Sequence, residues 1–287
     1  MRLQKRLSLL VFLAAITAAA GVRASDTDKE QRWADQIVDA LLVGEAEWLE
    51  ADGHKFLAIF TEDRSGTPKG GAIILHGIGV HPDWAEVIYP LRTGLPDYGW
   101  ATLSIQMPIL PNEAGVQDYI PLIAEAGPRI RAAQTFLKTK GIEPVALIAH
   151  SLGATMASAT LADQGDLGLG GFVAIGMSGS ALDPQLDTTA QLARLALPIL
   201  DLYGSRDLDT VLTAVPPRAA AMRKAGHGRF RQIEVEGADH FFVGLDDELV
   251  RRVRGWLEQN VTAGAGKSPR KPAKPASPAN DNDKAAP

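Results

Sequence analysis

The sequence contains no cysteine. Disulfides and thiolate metal sites are therefore excluded, and the fold has only its core to hold it together. It also lacks internal repeats and any basic patch in its body. A chain that binds nucleic acid needs such a patch, so nucleic acid is not an expected partner. Long apolar runs are missing too. A membrane-spanning helix needs about 20 apolar residues, and the one long uncharged stretch, residues 7–22, is shorter and rich in alanine. No integral membrane segment is expected in the mature chain.

What is present suits an ordinary globular protein. The 287 residues are 46% hydrophobic and 22% charged, enough to bury a sizeable core. Residues 1–24 have the order of a signal peptide: Arg2, Lys5 and Arg6, then the uncharged stretch, then Val22-Arg23-Ala24. Small side chains at Val22 and Ala24 predict cleavage before Ser25, with Ala18-Ala19-Ala20 as a second possible site. No cysteine stands there to carry a lipid. The expected location is the periplasm or the medium. Cleavage removes four of the 29 Lys+Arg and none of the 34 Asp+Glu, which leaves a net charge of −9.

From Thr262 to Pro287 the sequence turns to Gly, Ala, Pro, Ser and Lys. This predicts a disordered tail with almost nothing to bury. Its lysines also suit a weak tether to anionic envelope polymers. The folded domain is expected over residues 25–261.

Within that domain strand and helix alternate. Trp33, Ile37 and Leu41, four apart, predict one apolar face of a leading helix. Two strands are expected near 45–50 and 54–62. Unbroken apolar runs follow at 72–75, 100–105, 145–149, 172–175 and 199–203, with a last strand near 230–235. Such runs suit strands buried on both faces, hence a parallel sheet. Helical patterns fill the gaps, including one started by Pro128 and one over 246–259. The implied class is α/β, with a mostly parallel central sheet and helices on both faces.

The chemistry gathers at three places. Ala149-His150-Ser151-Leu152-Gly153 follows the strand 145–149 and opens a helical run. That is the setting of a nucleophile elbow, whose tight turn needs small residues two before and two after the serine. Gly153 meets this need, and Ala149 replaces the more usual glycine. The base is expected after the last strand, and of the six histidines only His240, in Gly237-Ala238-Asp239-His240, stands there. Asp207 follows the strand 199–203 and the turn Gly204-Ser205-Arg206, where a carboxylate can accept from the imidazole and fix its tautomer. Asp209 and Asp183 remain alternatives, while Asp201 lies inside the strand and reads as structural. For the oxyanion hole the candidate donors are the Leu152 N–H, at the start of the elbow helix, and the Ile78 N–H in His76-Gly77-Ile78-Gly79. Gly77 and Gly79 let backbone approach a substrate. His76 reads as a structural hydrogen-bonding residue, and His81 as a loop residue able to line the pocket.

These motifs, in the order Ser, Asp, His, resemble the α/β-hydrolase superfamily over roughly residues 45–260. Residues 71–110, with His81-Pro82-Asp83-Trp84, are also similar to an uncharacterised bacterial family of secreted hydrolase-like proteins. The resemblance implies a serine hydrolase acting on a carboxylic ester through an acyl-enzyme, with no metal and no organic cofactor. The interval 177–197 is too short for a large cap, so an open site is expected. The loop Met107-Pro108-Ile109-Leu110-Pro111 is expected to give it an apolar rim, with Met107 and Ile109 lining it. A small-molecule or envelope-derived ester is the expected substrate. A catalytically silent binding or scaffold protein on the same fold is the alternative.

Overall fold

A computed structural model describes residues 25–261. The segments read as a signal peptide (1–24) and a tail (262–287) lie outside the described residues. The strands are β1 (Glu45–Ala51), β2 (His54–Thr61), β3 (Gly70–Leu75), β4 (Trp100–Ile105), β5 (Val145–His150), β6 (Gly171–Ile175), β7 (Ile199–Arg206) and β8 (Phe230–Asp239). The helices are α1 (Thr27–Ala40), α2 (Ile88–Gly94), α3 (Ile123–Thr139), α4 (Leu152–Gln164), α5 (Thr188–Leu192), α6 (Asp209–Leu212), α7 (Val215–Lys224) and α8 (Asp246–Asn260). All strands join one open sheet in the order β1-β2-β4-β3-β5-β6-β7-β8. β1 and β2 form an antiparallel hairpin, and β2 also meets β4 antiparallel. The remaining pairs are parallel.

The hairpin follows from Asp52-Gly53, which turn with φ of 51° and 78°. Positive φ at both positions matches the twist of the flanking strands, and Asp-Gly tolerates it. The apolar runs are unbroken because successive side chains enter different cores. Ile73, Leu75, Leu147 and Ala149 face one cluster with Ile130 and Leu137 of α3 and Leu161 of α4. Ala72, Ile74, Ala146 and Ile148 face another with Leu91 of α2 and Leu249, Val253 and Leu257 of α8. The period of two along a strand makes that division. A third, smaller cluster seats Ala34 and Ile37 of α1 on Leu57 and Ile59 of β2.

One helix boundary differs from the sequence-based expectation. α3 begins at Ile123 and carries Pro128 inside it, rather than starting at that proline. The preceding 3₁₀ turn, Val116–Leu122, already sets the chain on a helical path. Burial of Ile123, Ala126 and Ile130 on the core side offsets the hydrogen bond that Pro128 cannot make. Between β6 and β7 the longest regular element is the five-residue α5, so no cap covers the strand ends there. Among the described residues no helix is long and apolar enough to cross a membrane.

Asp201, in the interior of β7, is fully buried with Arg218 of α7. The guanidinium reaches both carboxylate oxygens, at 2.9 and 3.2 Å, and donates to the Met177 carbonyl at 2.8 Å. Gln232 of β8 adds a donor to Asp201 at 2.7 Å. This matches the structural role expected for Asp201. Removing one partner strands a buried charge. Arg218→Ala is expected to lower folding stability by about 3–5 kcal/mol in urea titration. A loss below about 1 kcal/mol would show that the pair is not needed.

Candidate active site

The site lies at the carboxyl ends of the parallel strands, where open α/β sheets place their ligands. β5 ends at His150, and α4 begins at Leu152. Ser151 between them has φ 54° and ψ −125°. That conformation is costly for a residue with a side chain and persists only where the surroundings enforce it. Here two glycines do so. A Cβ at Gly153 would stand 2.3 Å from the His76 carbonyl oxygen, and one at Gly77 would stand 2.9 Å from the Ser151 Cβ. The loop after β3 can therefore press against the elbow only because both side chains are missing. Ala149 is fully buried between Leu75 and Ala174, its register partners on either side, and the space admits its methyl.

His240 follows β8 and reaches back to the elbow. Its Nε2 is 3.0 Å from Ser151 Oγ, and its Nδ1 is 2.6 Å from Asp207 Oδ1. Asp207 Oδ1 also accepts from the Leu208 N–H at 2.8 Å, and Oδ2 accepts from the Gly204 N–H at 3.2 Å. Burial pushes the Asp207 carboxyl up. Hydrogen bonding and charge from His240, with those two amides, outweigh it and hold the group below the ordinary carboxylate range. Of the three candidate acids only Asp207 reaches His240. Asp209 opens α6, and Asp183 accepts from the Gln185 N–H in an exposed turn.

The Ile78 and Leu152 N–H groups have no hydrogen-bond acceptor among the described residues. For Leu152 this follows from its place at the first position of α4, where no i−4 carbonyl exists for it. Gly79, with φ 67°, turns the same loop. His76 is structural, as its sequence context implied. Nδ1 donates to the Gly77 carbonyl at 2.9 Å, and Nε2 accepts from the Met107 N–H at 2.9 Å. His81 packs edge-on against Trp33 and Trp84, at 5.4 and 5.6 Å, and accepts from the Asp83 N–H.

The expected rim needs correction. Met107 and Ile109 are buried rather than exposed around the site, because their loop is strapped down. The Ile109 carbonyl accepts from the Asp26 N–H, and the Leu110 N–H donates to Tyr119 Oη at 2.9 Å. Exposed apolar side chains stand instead beside the acid and the base: Leu208, Phe241 and Val243. Two further residues went unread in the sequence. His150 is buried and donates from Nε2 to the His240 carbonyl at 3.0 Å, which fixes the backbone of the base. Gly176, with φ 55°, leaves the space that His240 and Asp207 occupy, since a Cβ there would stand 3.0 Å from His240 Nδ1. The glycine just after a buried strand was the available signal for Gly176. Among the described residues no group of three or more potential ligands is arranged to hold a metal ion.

Fold and elbow together have the architecture of the α/β-hydrolase fold. The chain belongs to the family described as "protein of unknown function (DUF3530)", whose model matches residues 14–121 and 122–259. The fold is similar to that of Est1E from Butyrivibrio proteoclasticus, at 14% identity over 76% of this chain and 98% of that one, with a TM-score of 0.59. It is similar to a dienelactone hydrolase from Anabaena variabilis, at 19% identity over 76% and 98%, with a TM-score of 0.59. It is also similar to an α/β serine hydrolase without a lid from Xanthomonas campestris, at 14% identity over 77% and 96%, again at 0.59. No curated protein matches the sequence.

Two buried histidines make the fold sensitive to acid. Burial pushes His76 down to about 3 and His150 down to about 4, and for His150 the neighbouring His240 adds to the effect. Burial also holds His81 and His227 below the ordinary range. Once unfolded, these rings take up protons near pH 6.5. Their contribution to stability is therefore present above about pH 6.5 and is lost as pH falls toward 4. Each proton taken up costs about 1.4 kcal/mol per pH unit. Urea titrations between pH 7 and 5 are expected to show uptake of at least two protons on unfolding. A flat profile over that window would contradict the burial of these rings as neutral groups.

Proposed function

We propose that this chain is an exported serine hydrolase that cleaves a carboxylic ester or similar acyl bond. The observation that carries the reading is the line from Ser151 Oγ through His240 to Asp207, with contacts of 3.0 and 2.6 Å. A serine hydroxyl is a weak nucleophile until a neighbouring base takes its proton in the transition state. His240 Nε2 is at hydrogen-bond distance for that transfer. Asp207 keeps the proton on Nδ1, so that Nε2 presents its lone pair, and stabilises the imidazolium that forms.

The steps balance on these residues alone. Ser151 Oγ attacks the acyl carbon, and its proton passes to His240. The negative oxygen of the tetrahedral intermediate is held by the Ile78 and Leu152 N–H groups. His240 then protonates the departing alkoxide, leaving an ester on Ser151. A water enters, gives its proton to His240, and attacks the acyl carbon. Collapse releases the acid and returns the proton to Ser151. No step needs a metal or an organic cofactor.

The absence of a cap between β6 and β7, together with Leu208, Phe241 and Val243, favours a substrate of modest size with an apolar portion. The similar structures include a dienelactone hydrolase, an esterase domain from Rhodothermus marinus and Est1E with ferulic acid bound, which fit that class. The functional layout is a signal peptide over 1–24, the hydrolase domain over 25–261 and a tail over 262–287, with the mature protein in the periplasm or the medium.

Short-chain nitrophenyl esters and a fluorophosphonate probe test the reading. Ser151→Ala is expected to cost on the order of 10³–10⁶ in kcat, and His240→Ala a similar factor. The double variant should be little worse than either single one, because the groups act as a unit. The probe should label the wild type and leave Ser151→Ala unlabelled. A wild type that is neither labelled nor active on any ester would make the silent scaffold the better reading.

A further inference from the structure

The first described residue is held like a fixed part of the fold. Ser25 is buried, and its backbone N lies 3.3 Å from Glu125 Oε1 of α3. Its hydroxyl accepts from Arg129 at 3.2 Å. The next residue, Asp26, donates its N–H to the Ile109 carbonyl at 2.7 Å and caps α1 through its carboxylate on the Lys29 N–H. Lys29 reaches the Leu110 carbonyl at 2.8 Å and Asn112 at 2.7 Å. Residues 25–29 thus strap down the loop 106–112.

That loop connects to the elbow. Arg129 donates to the Gln106 carbonyl at 3.0 Å. The Gln106 side chain and the Met107 N–H both meet His76 Nε2, and His76 Nδ1 holds the Gly77 carbonyl. Ile78, whose N–H is the candidate oxyanion donor, is the next residue.

The charged groups around Ser25 leave one carboxylate in excess, and Glu125 is the partly exposed one. Arg129 forms a two-pronged pair with Glu30, at 2.9 and 3.0 Å, and both are buried. Glu125 lies 3.7 Å from Arg129, a looser second contact. Two carboxylates therefore share one guanidinium. Nearby, Asp26 and Glu113 are offset by Lys29 and Arg32, and His54 lies 3.0 Å from Glu30. The nearest donor to Glu125 is the Ser25 nitrogen.

We propose that cleavage before Ser25 is a structural step as well as an export step: the ammonium it creates pairs with Glu125 and completes the clamp on the 106–112 loop. The inference rests on the export reading above. Signal peptidase would hydrolyse the Ala24–Ser25 peptide bond with one water, leaving a carboxylate on Ala24 and an ammonium on Ser25. The neutral amide of the precursor becomes a cation facing the unmatched carboxylate, and its charge balances the cluster. An α-amine ordinarily titrates near pH 7.7–8.0, and pairing with a carboxylate raises that value. The stabilisation is full below this range and is lost as pH rises above it.

The full chain is exported from a bacterial host, and the mass of the mature protein is measured. The expected mass begins at Ser25. The mature protein is then compared with a form beginning at Ala24, each with and without Glu125→Gln. At pH 7 the Ala24 start and Glu125→Gln are each expected to lower Tm by about 2–4 °C. Combined, they should lower it no further than either alone, and the gap between the two starts should close above about pH 9–10. A mature mass that begins elsewhere would overturn the cleavage, and the proposal with it. A Ser25 start with no loss, with additive losses or with a gap indifferent to pH would overturn the ion pair and leave export standing.

Discussion

Two stretches of backbone meet beside Ser151 with no room for a methyl group between them. Gly153 lies against the His76 carbonyl, and Gly77 lies against the Ser151 Cβ. Everything else at the site depends on this contact. It brings the loop after β3 against the end of β5, with Gly77 beside Ser151 and His76 beside Gly153. It also holds Ser151 at φ 54°, a conformation that the chain would otherwise leave. The sheet supplies the force. β3, β5 and β6 are buried on both faces, and Leu75, Ala149 and Ala174 lie in register across them. Burying each Leu or Ile side chain stabilises the fold by about 1.5–3 kcal/mol. That is comparable with the about 1–3 kcal/mol such a strained residue costs.

Polar groups under the site are paired in a way that fixes positions. His76 ties Gly77 to Met107, His150 holds the carbonyl of His240, and Asp207 is held by two backbone amides. Burial keeps His76 and His150 neutral, so their rings act as fixed donors and acceptors through the working pH range. One atom departs from this pattern: His150 Nδ1 is buried without a hydrogen-bond partner. Its position 3.5 Å from where a Gly77 Cβ would sit again marks how tightly the β3 loop closes on the elbow. Farther out, Glu30, Glu125 and Arg129 link α1 and α3 to the loop that His76 anchors.

Much of this was legible in the sequence because it is written locally. The apolar runs at 72–75 and 145–149 announce strands buried on two faces, and the two cores divide their residues alternately. Small residues around Ser151 announce a tight turn, and the order Ser, Asp, His follows the order of the strands. What escaped depends on partners far along the chain. Met107 and Ile109 look like a rim in an isolated loop, but Asp26 and Tyr119 pull that loop inward. Arg129 and Glu30 stand 99 residues apart and carry no local pattern that pairs them. Pro128 reads as a helix start because proline favours that position, yet the 3₁₀ turn before it had already begun the helix. Gly176 and His150 serve His240 across the sheet ends, so their roles emerge only once the strands are aligned.

The account turns on whether Ser151 carries the acyl group. Rapid quenching of the protein with a slow-hydrolysing nitrophenyl ester, followed by intact-mass and peptide mapping, tests this directly. One acyl group is expected per chain, attached to the peptide that contains Ser151, and its loss should be slowed in His240→Ala once the serine is loaded. An acyl group on another residue, or turnover of the ester with none ever bound to the chain, would contradict the account.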